Sequence, residues 1–334
     1  MPITTFGHVS VTPVRIETSA TAAELLEASA GQLYRPPAPS TGWGSVHEHD
    51  EIVGKIIKGR PQPRRPEVVE EDDIRPEQFR GRLYWDQLDK KALGLFGELA
   101  EPDSINSLQA TDVTISPTAK EGVLLGLLGL RHDGQIRSYV IPALRELLLA
   151  VDDDARVYTD SSPIDFGDDD FFHWLLYRFH NKPQVSADIA LQDVRSISSQ
   201  DSLFRGANLS EGVSLDRPEL LALISAATTK FGPAKLSLTD SHLGLDVDFQ
   251  LYVDGGFSVY VGKSEYDVDL PRAEIGLRLV QDLAYKIIPD LKSAYDADSN
   301  WRKKHRAAFQ ATSRTALAKV LLPHGCPQCG HDLT

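Results

Sequence analysis

The chain has 334 residues, 41% of them hydrophobic and 25% charged, with a formal net charge of −13. That length accommodates two average domains or one large one, and the composition excludes a wholly disordered chain. The two cysteines fall within the last nine residues, so no disulfide can staple the main body and nothing points to an oxidising compartment.

Phe6 to Ile16 alternates as a strand, and Thr18 or Ser19 can cap a helix from Thr21 to about Gln32, with Glu24 early in it. Met1 to Ile16 has no apolar h-region, and the longest greasy stretch, Gly122 to Leu130, is about nine residues and too short to span a bilayer. A cytoplasmic protein with no membrane association is expected. Residues 34–82 read as an extended loop or linker: Arg35-Pro36-Pro37-Ala38-Pro39 opens the stretch, Arg60 to Pro66 closes its basic part, and an acidic run from Glu67 to Asp73 follows.

From Asp112 the pattern is regular. Val113 to Ser116 predicts a strand, Ala119 to Leu130 an apolar helix despite three glycines, and Ile136 to Ile141 a strand. Pro142 then starts a helix through Ala150, and Ala155 to Thr159 is a short strand. Asp168, Asp169 or Asp170 can cap a helix through His180 that is apolar on nearly all sides and therefore buried. Arg217 to Lys230 predicts a helix and Ala234 to Leu238 a strand. Leu245 to Val253 and Phe257 to Val261 form a hairpin around Asp254-Gly255-Gly256. Leu270 to about Ala297 is a long helix that Pro289 should kink or divide, and Trp301 to about Leu322 is a last helix. The expected fold class is α+β: mixed sheet elements with packed helices, long C-terminal helices and a C-terminal CxxC knuckle. The blocks are 1–33, strand and helix; 34–110, linker or loop; 111–298, α+β core; and 299–334, basic helix with the CxxC tail.

Charge is unevenly placed. Lys55, Lys58, Arg60, Arg64 and Arg65 lie in 52–66, and Arg302, Lys303, Lys304, Arg306, Arg314 and Lys319 in 301–320, with no acid in either segment. They hold 11 of the 35 basic residues, leaving an acidic body. Such segments are solvated faces or contacts to a polyanion, where each neutralised phosphate releases counterions. The expected nucleic-acid contacts are the five in the loop together with Arg302, Lys303, Lys304 and Arg306.

Cys326-Pro327-Gln328-Cys329-Gly330 has the form of a zinc knuckle, two thiolates three positions apart with a glycine turn beneath. Four ligands are usual, so the site is half complete. His324 and His331 can join it within the chain, two chains can each supply a cysteine pair, or a partner can complete it; an unmetallated tail and a redox pair are the alternatives. Zinc and a homodimer or larger complex are the expected cofactor and assembly. His47-Glu48-His49-Asp50-Glu51 offers transition-metal ligands but reads better as a polar loop. His173 and His180 share a helix face; they read as buried, hydrogen-bonded side chains, with a general-base role as the alternative. Asp160, Asp165, Asp168, Asp169 and Asp170 are explained by capping and dipole compensation; two-metal hydrolysis with His173 is the competing use. No Walker loop, dinucleotide fingerprint, serine elbow or HExxH stretch occurs, which argues against an enzyme.

Residues 170–305 resemble the RdgC-type recombination-associated proteins, bacterial factors that bind duplex DNA as dimers. The resemblance rests on Asp170-Phe171-Phe172-His173-Trp174-Leu175-Leu176-Tyr177-Arg178, on Phe204-Arg205-Gly206-Ala207-Asn208-Leu209, and on Glu219-Leu220-Leu221-Ala222 leading to Ala234-Lys235-Leu236-Ser237-Leu238. The Asp254-Gly255-Gly256 hairpin and the helix starting near Trp301 complete it. The Pro-rich region, the Cys tail and the acidic body depart from that family. The resemblance implies DNA association and carries over no catalytic residue. The expected function is a non-enzymatic DNA-associated or complex-assembly protein of bacterial genome maintenance or defence, with a metal-dependent nuclease or hydrolase at Asp160–Asp170 as the alternative.

Overall fold

A computed structural model describes residues 7–35, 40–44, 65–96, 106–168, 170–200, 206–226 and 228–322. In chain order the first elements are β1 (His8–Glu17), α1 (Ala22–Gly31), β2 (Thr41–Trp43), β3 (Glu67–Val69), β4 (Gln78–Leu88), α2 (Lys90–Phe96), β5 (Asn106–Pro117) and β6 (Val123–Leu128). Next come α3 (Ile141–Leu149), β7 (Arg156–Tyr158), α4 (Asp170–Asn181), β8 (Ile189–Gln200), β9 (Gly206–Leu209) and α5 (Pro218–Ser225). Strands β10 (Lys230–Asp240), β11 (Leu245–Leu251), β12 (Phe257–Tyr260) and β13 (Glu265–Tyr266) precede α6 (Arg272–Asp282), α7 (Ile288–Ala297) and α8 (Arg306–Leu321). The α+β class holds, with antiparallel pairing in every strand register given below. No helix among the described residues is long and apolar enough to cross a membrane.

Two compact units divide the chain. One comprises Met1–Ile164 and Leu270–Lys286, the other Asp165–Asp269 and Ile287–Thr334. In the first, neighbouring strands run β2-β4-β5-β6-β1, with β3 also on β4 and β7 on β1. Helices α1 and α3 deliver Leu25, Leu144, Leu147 and Leu148 to the same buried cluster as Val14, Ile16, Leu83, Trp85, Val113 and Leu128. Each such aliphatic side chain contributes about 1.5–3 kcal/mol on burial. Arg82 and Asp112 face each other across β4 and β5 as a buried fork, Nε to Oδ1 at 2.6 Å and Nη2 to Oδ2 at 2.8 Å. Helix α6 is tied in by Arg75 Nη2 to the wholly buried Asp282 at 2.6 Å and by Gln281 to Gln78 at 2.8 Å.

Several expectations need correction here. Part of residues 34–110, read as linker or loop, builds β2, β3, β4 and the start of β5; Leu83, Tyr84 and Trp85 are at most 1% exposed. Proline and charge at its two ends obscured the strand between them. Ala119–Leu130 is not a helix but the turn and strand β6. Gly122 takes φ +71°, a left-handed value open to glycine, and β6 pairs with β5 and β1 on its two sides. A strand buried on both faces reads as a continuous apolar run, which periodicity cannot tell from a helix. Ile136–Ile141 is helical rather than extended. Ile136–Val140 is a wide π-turn in which the Ile141 N–H donates to the Ile136 carbonyl, and Pro142 enters α3 just after it. Leu283–Ile287 is a second π-turn just before Pro289, so the helix expected over 270–297 divides there into α6 and α7. A π-turn moves the carbonyl that a proline ring would strike in a regular helix. The capping residue of α1 is Thr21, in a reciprocal box with Glu24; Thr18 and Ser19 instead donate to Asp152.

In the second unit the order is β12-β11-β10-β8-β9, with β13 on β11. The hairpin between β11 and β12 turns where expected, with Gly255 at φ +75°. The helix expected over 217–230 ends at Ser225, and Lys230 already belongs to β10. The first part of α4 is buried as expected, with Phe171, Phe172, Trp174, Leu175 and Leu176 fully enclosed, while Tyr177 to His180 are partly exposed. Its aromatic side chains meet those of the last helices, Phe171 and Trp174 against Tyr295 with both ring centroids at 5.5 Å, and Tyr177 against Trp301 at 5.2 Å.

Candidate anion-binding cleft

In the second unit Asp168 and Asp170 lie at the start of α4, followed one turn later by His173. Thr228, Thr229 and Lys230 lead into β10, Tyr295 lies near the end of α7, and Arg302 and Arg306 flank the start of α8. These nine residues line one cleft of about 410 Å3. The sequence brings them together through packing: the aromatic face of α4 seats α7 and α8, which carries Arg302 and Arg306 to the acidic end of α4.

The two carboxylates are engaged by the protein itself. Asp168 Oδ1 accepts from the Asp170 N–H at 3.1 Å and from the Tyr295 hydroxyl at 3.0 Å. Asp170 Oδ2 accepts from the Trp301 indole at 2.9 Å, while its Oδ1 pairs with Arg306 Nε at 2.6 Å. Burial first, and then the charges of Asp170 and Asp168, hold the Tyr295 phenol well above its ordinary pKa, so it stays a hydrogen donor. Asp298 fills a parallel role, accepting from the Trp174 indole at 3.0 Å and from the Trp301 backbone at 3.0 Å. These carboxylates fasten α7 and α8 to α4, which accounts for them without catalysis.

His173 is 4% exposed and packs edge-on against Phe231 at 4.6 Å between ring centroids. His180 is half-buried, and burial lowers its pKa. Asp160 belongs to the first unit, Asp165, Asp168 and Asp170 to the second, and Asp169 lies outside the described residues. Among the described residues no group of three or more His, Cys, Asp or Glu could hold a metal ion.

Among the expected nucleic-acid contacts, Arg302, Lys303 and Lys304 are exposed on the wide turn Trp301–His305, and Arg306 follows on α8. Arg302 also pairs with Asp296 at 3.5 Å, both side chains half exposed. Among the described residues no acid pairs with Lys303 or Lys304. Arg314 is structural: its guanidinium donates twice to the Ser225 carbonyl, at 3.1 and 3.0 Å, joining α8 to α5. Arg65 is exposed, whereas Lys55, Lys58, Arg60 and Arg64 lie outside the described residues, as do His47 to Glu51, His324, Cys326, Cys329, His331, Phe204 and Arg205. Sequence reasoning missed Thr228, Thr229 and Lys230 because they were placed on a helix; the Gly232-Pro233 pair two residues later was the available signal that the helix had already ended. Compared with known proteins, the chain matches no family model, no curated protein and no solved structure.

Proposed function

We propose that this is a non-enzymatic, DNA-associated or complex-assembly protein of bacterial genome maintenance or defence, cytoplasmic, which holds phosphates through the start of its last helix. One observation carries the reading: Arg302, Lys303 and Lys304 project to solvent from a single turn, in a segment with no acid, beside a cleft whose carboxylates are already engaged. Lysine and arginine in that arrangement position a phosphate backbone and read no base. The net charge of −13 disfavours binding elsewhere on the surface, so contact is confined to the basic segments. The resemblance to RdgC-type proteins supports the same reading, and Arg65, with Lys55, Lys58, Arg60 and Arg64, would add a second contact.

The assembly part of the proposal is a zinc ion on Cys326 and Cys329, completed by His324 and His331, by a second chain or by a partner. The donor set fits zinc chemically, since paired thiolates at this spacing bite one tetrahedral ion. Metal analysis with native mass spectrometry tests it: zinc lost in Cys329→Ser together with the dimer supports a shared site, and a metal-free monomer contradicts it. DNA binding is tested by fluorescence anisotropy with a duplex oligonucleotide over a salt series. Binding should weaken steeply with salt, and salt-insensitive binding or none at low salt would overturn it. The hydrolase alternative is disfavoured because Asp168 and Asp170 already serve Tyr295, Trp301 and Arg306.

A further inference from the structure

We infer that the cleft between α4, the start of β10 and α8 is a receptor for a phosphomonoester, the terminal phosphate of a nucleic-acid strand. This deepens the polyanion reading and rests on it. Three cations converge there from two separate parts of the chain, Lys230 from β10 and Arg302 and Arg306 from the last helix. The two arginines are four residues apart and so share a helix face. The cleft sets two acids against these three cations: Arg306 compensates the charge of Asp170, while the hydrogen-bond donors to Asp168 are neutral. Asp170 is held by Trp301 and Arg306, and Asp168 by Tyr295 and the Asp170 N–H. Arg306 is gripped at Nε alone, which leaves its two terminal amino groups as donors for an oxyanion. Arg302 pairs with the half-exposed Asp296 and lies over the Tyr295 ring, 5.1 Å from its centroid, on the wall of the cleft. Thr228 and Thr229 add hydroxyl donors at the same wall.

Size and charge favour a strand end over a passing backbone. A volume of about 410 Å3 suits a group the size of one nucleotide. The buried His173, set against Phe231, is one of its lining residues. A monoester carries close to two negative charges at neutral pH, where a diester carries one, so clustered cations discriminate in its favour.

The test compares duplex oligonucleotides ending in 5′-phosphate or 5′-hydroxyl by fluorescence anisotropy, alongside calorimetry with thymidine 5′-monophosphate and thymidine. The full chain and its Lys230→Gln and Lys230→Arg variants are used. A 5′-phosphate should tighten binding about tenfold, the scale of one charge-assisted hydrogen bond. Lys230→Gln should remove that gain while leaving the 5′-hydroxyl duplex bound as before, and Lys230→Arg should restore most of it. Equal affinity for both ends, with no uptake of the monophosphate, overturns the cleft inference and leaves the DNA reading standing. Uptake of the monophosphate that depends on Lys230, with neither duplex bound, keeps the cleft as a phosphomonoester site but overturns both the DNA reading and the assignment to a strand end. Failure of every probe overturns both.

Discussion

Asp170, read in the sequence as a helix-capping carboxylate, also fastens two helices together in the fold. It receives the Trp301 indole and the Arg306 guanidinium, with a weaker approach from Tyr295 at 3.5 Å. Asp170→Asn keeps the shape but removes the charge, and should cost about 2 kcal/mol, the range for hydrogen bonds to a charged group. Urea unfolding measures it, and an unchanged midpoint would show that the carboxylate is not a fastener. Arg82 and Asp112 make a sharper case, being buried directly opposite one another on β4 and β5. Asp112→Ala leaves an uncompensated guanidinium in the core and should cost about 3–5 kcal/mol, whereas replacing both residues with apolar ones should recover most of it. A double-mutant cycle distinguishes this from simple loss of packing.

His180 gives stability a pH dependence. Burial is the main cause of its lowered pKa, opposed by the Val213 backbone and the Asp216 charge. The unfolded chain therefore takes up a proton first as pH falls through the ordinary imidazole value of 6.5. The contribution is full above that value and is lost as pH drops toward the folded pKa. Urea unfolding at about pH 7.5 and about pH 5.5 should show the loss, and His180→Gln should reduce it. Equal pH dependence in the variant would assign the effect to other groups.

At the scale of elements, what the sequence revealed depended on how many faces of each segment are buried. Strand β1, the hairpin at Gly255 and helix α4 were legible because alternation, turn chemistry and an all-round apolar helix each leave a distinct pattern. Strand β6 was not, since it is enclosed on both faces. Its Gly126 is the telling residue: a Cβ there would sit 2.6 Å from Val14 Cγ2 and 3.0 Å from Ile16 Cδ1. Gly126 serves close strand packing and no helix contact. Gly126→Val should destabilise the first unit by about 1–3 kcal/mol through overpacking, read as a lowered Tm. A neutral effect would mean that Val14 and Ile16 yield freely. The π-turns before Pro142 and Pro289 were equally hidden, because a proline announces a break without saying whether the helix stops or widens.

For the whole molecule, two units built on antiparallel strands carry a net charge of −13, with a run of exposed basic residues at the start of the last helix. The basic residues of that segment were legible as a run of unbroken charge; their partner in the cleft, Lys230, was not, because only packing of α8 and α4 brings β10 beside them. Four of the five expected loop contacts and the cysteine knuckle lie outside the described residues. The most direct test of the central claim is the salt dependence of duplex binding in the wild-type chain and in Lys303→Gln/Lys304→Gln. Each phosphate contact contributes about −0.9 to the slope of log K against log salt. The double variant should fold as the wild type does, bind more weakly, and lose about 2 from the magnitude of that slope. An unchanged slope would place the DNA elsewhere on the molecule and contradict the account.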